Sequence, residues 1–406
     1  AKLLAEAGVH GGTVFEAQTQ PGGKALSVMR DGVLHELGTC YSSHAHKITN
    51  RWMRELGIDQ RPLVGQRFEG KPFLRYAADG SVPALMAQGA RFAAEWSRFQ
   101  HRLETLPDDP SVRQECALPI GEWLEHKRLS RLRRFMFRAL TTMGYGSLAE
   151  IATCQALRWC SPALMLSGLP GGLRMPVSGW QEFWRRLALD LDVHVDEAVL
   201  EIERTGQGGR LRTRAGTYQF SQLAVTIPLS EFADIASLSP IESEINDAIS
   251  WGSYVTSLVR ADWFTLYQTD SFVLGSESAE PGRLLGARRG MRIAPSSSAN
   301  DQGEYYVCGQ YGGLPSETLN WQLQQDILSR GGRAAEIEQQ HEWRYFPRYS
   351  RQAITDGLIA RMIAVQGQNH TWYSGASFSH EAASNIANFN AALTQQMLPA
   401  LGKIAA

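Results

Sequence analysis

The residues with the clearest capacity for chemistry stand near the start of the chain. Thr13, Val14 and Phe15 are β-favouring and end at Glu16, and the stretch that follows, to Lys24, carries Pro21, Gly22 and Gly23. An acidic side chain at the end of a nucleotide-fold strand can accept both ribose hydroxyls of an adenosine, and it disfavours a 2′-phosphate. Gly22 and Gly23 let the backbone of a turn approach a ligand closely, and Lys24 can add positive charge near a pyrophosphate. The bland alternative is a solvated glutamate followed by an ordinary glycine turn. A second group is aromatic: Trp343, Tyr345, Phe346, Trp372 and Tyr373, which could wall a pocket or form plain core. No His-Asp pair, paired carboxylate or nucleophile motif stands out elsewhere, and His44-Ala45-His46 is expected in a loop without a metal.

The elements that would position these residues can be read from periodicity. A helix over the first residues closes at Gly8, the strand ending at Glu16 follows, and the glycine turn comes next, which is the second half of a βαβ nucleotide unit. Helical patterns run from Ile48 to Leu56, from Leu85 to Leu106 with Phe92, Trp96, Phe99 and Leu103 on one face, and from Gly121 to Leu140. The last is basic, with Lys127, Arg128, Arg131, Arg133, Arg134 and Arg138. It reads as a solvated face or as a surface that touches anionic lipid. Strand signals recur at 193–195, 199–202, 211–213 and 223–227, then at 254–259 and 305–308, and a helix is expected from Glu381 to Leu398.

With 406 residues, the chain exceeds what one core serves, and two or three domains are expected. Hydrophobic residues make up 43%, charged residues 20%, and the net charge is -1, which speaks for a globular protein and against nucleic acid as a partner. No apolar run is long enough to span a membrane, though peripheral contact stays open. Five widely spaced cysteines suggest reduced thiols in a cytoplasmic protein. The opening Ala1-Lys2-Leu3-Leu4 reads as mid-helix without an initiating Met, so the natural start is expected upstream.

The order of motifs resembles the flavin-containing amine oxidases: Glu16, Gly22-Gly23-Lys24, Glu36-Leu37-Gly38, a helix, then Glu55-Leu56-Gly57. Further on, Leu118-Pro119, Met143-Gly144-Tyr145-Gly146, Trp343 to Pro347 and Gln366-Gly367 through Gly375 are similar to the polyenoic fatty acid isomerases and the β-cyclopiazonate-dehydrogenase-like flavoproteins of that superfamily. The resemblance implies an α/β fold (α+β overall). In it a Rossmann-like FAD-binding domain is built from discontinuous segments 1–70, 171–235 and 341–406, with a helical subdomain over 71–170 and a mixed-sheet substrate domain over 236–340. It implies FAD contacts from Glu16, Gly22, Gly23, Lys24, Glu36, Gly38, Val199, Gly375 and Ala376. Lys71, with Arg75 beside it, Trp343, Tyr345, Phe346 and Trp372 become candidates for substrate binding, and Tyr345 and Tyr373 for catalysis.

Two departures accompany the resemblance. The family's glycine-rich phosphate loop precedes the first helix and is not in this chain, and Gly375-Ala376 stands where Gly-Glu is common. No cysteine follows Cys308, so FAD is expected to be non-covalent. The implied reaction is hydride transfer to flavin from an amine or an activated C-H bond of a small, mainly apolar molecule. Redox-neutral movement of a double bond in a polyunsaturated fatty acid is the alternative, and flavin binding without turnover is a third.

Overall fold

The computed structural model describes residues 1–63, 66–168, 171–263, 269–271, 279–293 and 304–402. The nucleotide-type part rests on two parallel strand pairs, Thr13–Phe15 beside Asp192–His194 and Leu223–Val225 beside Thr371–Tyr373. Strands this short bond only a few backbone groups, so packing must hold them. Phe15 lies 5.3 Å from the His194 ring and 4.7 Å from that of Tyr218, while Trp372 is buried against Leu393 and Met397 of the helix Ala383–Met397. Among the described residues the two pairs stand as separate sheets. A three-stranded antiparallel meander, Glu201–Thr205, Gly208–Arg212 and Thr217–Phe220, lies between them in sequence, where alternating apolar residues announced it. The helices Lys47–Glu55 and Trp180–Ala188 share a core of Trp52, Met53, Trp180, Phe183 and Leu187.

A seven-stranded sheet forms the larger β-structure. Its order is Arg333–Tyr349, Ile249–Asp262, Glu304–Tyr311, Leu284–Arg289, Thr269–Ser271, Gln66–Phe68 and Lys71–Pro72. The sheet therefore draws on segments from early and late in the chain, and its longest strand runs through position 341. Side chains alternate across it. Val259, Ala261, Ala287 and Cys308 bury one face against Leu323 and Ile327 of the helix Ser316–Ser329. The opposite face carries Tyr254, Thr256, Arg288, Trp343 and Tyr345, and these meet the nucleotide-type part at a cavity.

Helices cover the remaining side. The longest, Val82–Thr105, starts at Ser81, whose side chain accepts from the Ala84 N-H, and buries Phe92, Phe99 and Leu103 as their spacing requires. The expected basic helix from Gly121 to Leu140 is instead broken. Helices Ile120–His126 and Arg133–Leu140 flank a turn in which Arg128 adopts a φ of 56°. Leu129 and Leu132 are fully buried by that turn, a packing gain that an unbroken helix would give up. Three of the six cations form ion pairs, Lys127 with Glu95 and Glu115, Arg133 with Glu125, and Arg134 with Asp79. Among the described residues no helix is long and apolar enough to cross a membrane.

Candidate functional site

The cavity and its open mouth together enclose about 730 Å³ of space between atoms. Its floor is the segment from Leu37 to Tyr41, which follows the strand Val33–Glu36. Gly38 is dictated by contact: a Cβ there would lie 1.8 Å from the Lys24 carbonyl oxygen, and the Thr39 N-H donates to that same oxygen at 3.0 Å. The glycine turn and the cavity floor are thus clamped together.

Aromatic side chains line the same cavity. Tyr345 stacks on Tyr145 at 5.6 Å and 10°, and the Tyr254 ring lies 5.4 Å from Tyr345. Gly144, at a φ of 87°, leaves room for Tyr254, whose ring would meet a Cβ at 2.5 Å. Burial pushes the Tyr145 and Tyr345 hydroxyls well above the usual phenol range and Tyr254 up to about 12, so all three stay protonated at neutral pH. Trp343 is fixed by a relay: its Nε1 donates to Thr256 Oγ1 at 2.8 Å, and Thr256 Oγ1 donates to the Leu37 carbonyl at 2.7 Å.

Polar groups enter at three points. Lys24 Nζ donates to Glu381 Oε1 at 2.6 Å, and Glu381 Oε2 accepts the Phe346 N-H at 2.8 Å. Arg288 donates to the Glu36 carbonyl oxygen. His46, at the start of Lys47–Glu55, accepts the Ser43 N-H on Nδ1 at 3.0 Å. Burial lowers its pKa to about 4, so the ring is neutral, with its proton on Nε2. Among the described residues no cluster of His, Cys, Asp or Glu could hold a metal.

A family model described as flavin containing amine oxidoreductase matches residues 1–260. The chain belongs to the flavin-containing amine oxidoreductases. FAD, expected from the order of motifs, is the cofactor that goes with this family. Among solved structures, this amine oxidoreductase is similar to a CLA-producing fatty acid isomerase from P. acnes, with a TM-score of 0.81 and 19% identity over 97% of this chain and 94% of that one. It is also similar to a putrescine oxidase, with a TM-score of 0.67 and 15% identity over 99% and 95% of the two chains. A third similar structure is the cyclohexylamine oxidase from Brevibacterium oxydans, with a TM-score of 0.66 and 12% identity over 98% and 96%. At these identities the likeness is one of fold. No curated protein matches the sequence.

The structure brings some of the sequence-derived site residues of this amine oxidoreductase together and separates others. Lys24, Gly38, Trp343 and Tyr345 line the cavity, and Phe346 lies just behind it, 5.0 Å from the Tyr145 ring. Glu16 stands at the end of its strand, with Oε1 accepting the Gln18 N-H at 2.9 Å, and its carbonyl accepts the Glu197 N-H, which brings the segment bearing Val199 alongside. Gly22 and Gly23 adopt φ of 137° and 57° in the turn before Lys24. Gly375, at a φ of 83°, follows the strand Thr371–Tyr373, and a Cβ on it would lie 2.7 Å from the Thr226 carbonyl. Its neighbour Ala376 is half-buried.

Glu36 faces away from the cavity. Its carboxylate caps the helix Trp180–Ala188 by accepting the Trp180 N-H at 2.8 Å, and it also accepts the Ser27 hydroxyl at 2.8 Å. Trp372 donates to Gln222 at 2.7 Å under the C-terminal helix. Tyr373 donates to Glu242, which Arg204 holds at 2.5 Å. Lys71 and Arg75 are exposed on the sheet edge and the adjoining helix Phe73–Ala78.

Sequence reasoning did not single out Tyr145, Tyr254, Thr256, Arg288, His46 or Glu381 as site residues. Tyr145 lay within a motif that carried the resemblance, Met143 to Gly146. The others are brought in by strand pairing and chain reversal, which leave no local signal.

Proposed function

We propose that this chain is an FAD-dependent redox enzyme that takes a hydride from an amine or activated C-H bond of a small, mainly apolar molecule held in the aromatic-walled cavity. The observation that carries this reading is the Tyr145–Tyr345 stack, which lines the same cavity as Gly38 and has Lys24 Nζ of the Lys24–Glu381 pair 5.5 Å from the Tyr345 ring.

The residues fit a flavin. Glu16 ends a parallel strand and offers the ribose end a carboxylate with one oxygen bound only to Gln18. Gly38 lines the cavity with main chain alone, and its lack of a side chain lets the Lys24 carbonyl pack against it. Two donor side chains line the cavity, the buried His46 and the half-buried Arg288, and suit the acceptor-rich edge of a flavin or a substrate. That no cysteine follows Cys308 supports non-covalent attachment.

When bound, the flavin supplies the hydride acceptor. The protein's own residues do the rest. Trp343, Tyr345 and Tyr145 exclude water and orient an apolar substrate. The protonated Tyr145 and Tyr345 hydroxyls add no charge to the pocket. Lys24 neutralises Glu381 so that neither charge stands alone in the cavity.

A second reading, redox-neutral movement of a double bond, is favoured by the TM-score of 0.81 to the P. acnes isomerase, against 0.67 and 0.66 to two oxidases. Anaerobic mixing with candidate amines and unsaturated acids, followed by flavin absorbance, separates the two. Lasting bleaching supports the oxidoreductase, product without net bleaching supports the isomerase, and neither across both substrate classes refutes both readings.

A further inference from the structure

Away from the cavity, large apolar side chains stand out into water on one face of the helical part. Val82 and Met86, on the helix Val82–Thr105, are 44% and 56% exposed, and Leu166, on the helix Pro162–Ser167, is 59% exposed. Helical spacing explains the first two. Leu85, Phe92 and Phe99 point into the core, which turns Val82, Met86 and Ala90 outward with Pro83 and Ala87 beside them. Gly89 and Gln88 stand on either side of the buried row and fix what flanks the stripe. A Cβ on Gly89 would meet Met165 Cε at 3.8 Å, so the helix bearing Leu166 lies on one side. Gln88 Oε1 accepts the Arg131 N-H at 3.1 Å, so the basic turn between Ile120–His126 and Arg133–Leu140 lies on the other.

The surroundings carry one sign of charge. Segments 71–94, 127–140 and 159–168 hold a single acidic residue, Asp79, and Arg134 pairs with it at 2.8 Å. Arg75, Arg91, Arg128 and Arg131 are exposed and, among the described residues, have no carboxylate partner; Arg91 donates to the Lys127 carbonyl. The whole chain carries a net charge of -1, so this excess is local. An apolar stripe gains by leaving water, and unpaired guanidiniums gain by meeting phosphates. A bilayer with anionic headgroups over acyl chains satisfies both at once, and its fluid surface needs no matching shape.

We propose that this face docks on an anionic lipid bilayer, with Val82, Met86 and Leu166 entering the headgroup region and Arg75, Arg128 and Arg131 seated on lipid phosphates. The contact is peripheral, since among the described residues no helix can cross the membrane.

Cosedimentation of the full chain with vesicles tests it, using phosphatidylcholine alone and phosphatidylcholine with about one third phosphatidylglycerol. The parent should bind the anionic vesicles at least about tenfold tighter, and raising salt from about 0.1 M to about 0.5 M should remove most of that difference. Arg75→Glu with Arg131→Glu should weaken anionic binding by at least about tenfold. Met86→Asp with Leu166→Asp should weaken it by at least about fivefold, and that loss should persist at high salt. All four side chains or their charged ends face water, so circular dichroism should match the parent's. Arg214→Glu, an equal charge change at an exposed residue outside this face, is the control and should bind as the parent does. Equal binding to both vesicles, binding to neither, or a loss in the Arg214→Glu control as large as that from either arginine of the face would overturn the proposal. A loss confined to the arginine variant, with the Met86 and Leu166 changes silent, would also overturn it and point to a polar acidic partner instead of a bilayer.

Discussion

Lys24 and Glu381 stand 357 positions apart in the chain, yet their side chains meet at 2.6 Å beside the cavity. The pair ties the glycine turn near the start to the segment leading into the last helix. Glu381 is 5% exposed and Lys24 35%, so the interaction is neither fully screened nor fully buried. Replacing Glu381 with Gln or Lys24 with Met should each cost about 1–2 kcal/mol in urea unfolding, because each leaves a partner short of its charge-assisted bond. The double variant should recover part of the loss, and a strictly additive result would show that the two side chains do not act together.

Gly38→Ala should be among the most damaging single-methyl changes in the chain. Its Cβ would fall 1.8 Å from the Lys24 carbonyl, and backbone on both sides must shift. The expected outcome is a loss of more than about 2 kcal/mol together with lowered flavin content. Gly23→Ala is the control, since its Cβ would meet nothing within 4 Å and only its φ of 57° opposes it, at about 1 kcal/mol.

Thr256→Val tests the relay that fixes Trp343. It leaves the Trp343 Nε1-H without an acceptor and frees the Leu37 carbonyl, at a cost of about 1–3 kcal/mol. Thr256→Ser keeps the hydroxyl and should retain most of the stability. Tryptophan emission should change in the Val variant and stay near the parent's in the Ser variant.

How much of this could be read from the sequence differs by kind of feature. Local elements could: the strand at Thr13–Phe15, the helix of Val82–Thr105 and the meander after Glu201 follow from period and propensity. Gly22 and Gly23 could too, because a positive φ favours glycine, and so could Gly38, where backbone packs too closely for a side chain. The helix expected from Gly121 to Leu140 was not continuous, since burying Leu129 and Leu132 outweighs helix propensity there. Aromatic residues were harder still. Trp343, Tyr345, Trp372 and Tyr373 look alike in sequence, but only the first two lie on the sheet face turned to the cavity; the strand Thr371–Tyr373 buries the others elsewhere. Arg288 enters through a pairing of four distant strands, which no window of sequence displays.

Buried titrating groups set the pH dependence of stability. Burial raises Glu36 from 4.5 to about 7, so the native state keeps a proton that the unfolded chain releases. Its contribution is full below pH 4.5, is lost as pH rises toward 7, and is flat above. His35 and His46, lowered to about 4, and His380, lowered to about 3, act in the opposite sense. Their contribution is full above pH 6.5 and is lost as pH falls below it. Three histidines outweigh one glutamate, so stability should climb with pH up to about 6.5. Glu36→Gln, whose amide oxygen can still accept the Trp180 N-H, should gain on the parent as pH rises from 5 to 7, by up to about 1.4 kcal/mol per pH unit. A stability difference between the two proteins that is constant over that range would contradict the assignment.

The central claim is that the cavity lined by Gly38, Tyr145 and Tyr345 is a flavin redox site. Its most direct test is to load the full-length protein with FAD, desalt it, record the spectrum, and mix it anaerobically with amines and unsaturated carboxylic acids. The predicted result is one retained FAD per chain and a substrate-dependent change, either lasting bleaching or product formation, that Tyr345→Ala abolishes without releasing the flavin. A protein that retains no FAD, or one whose bound flavin and products respond to none of these compounds, would contradict it.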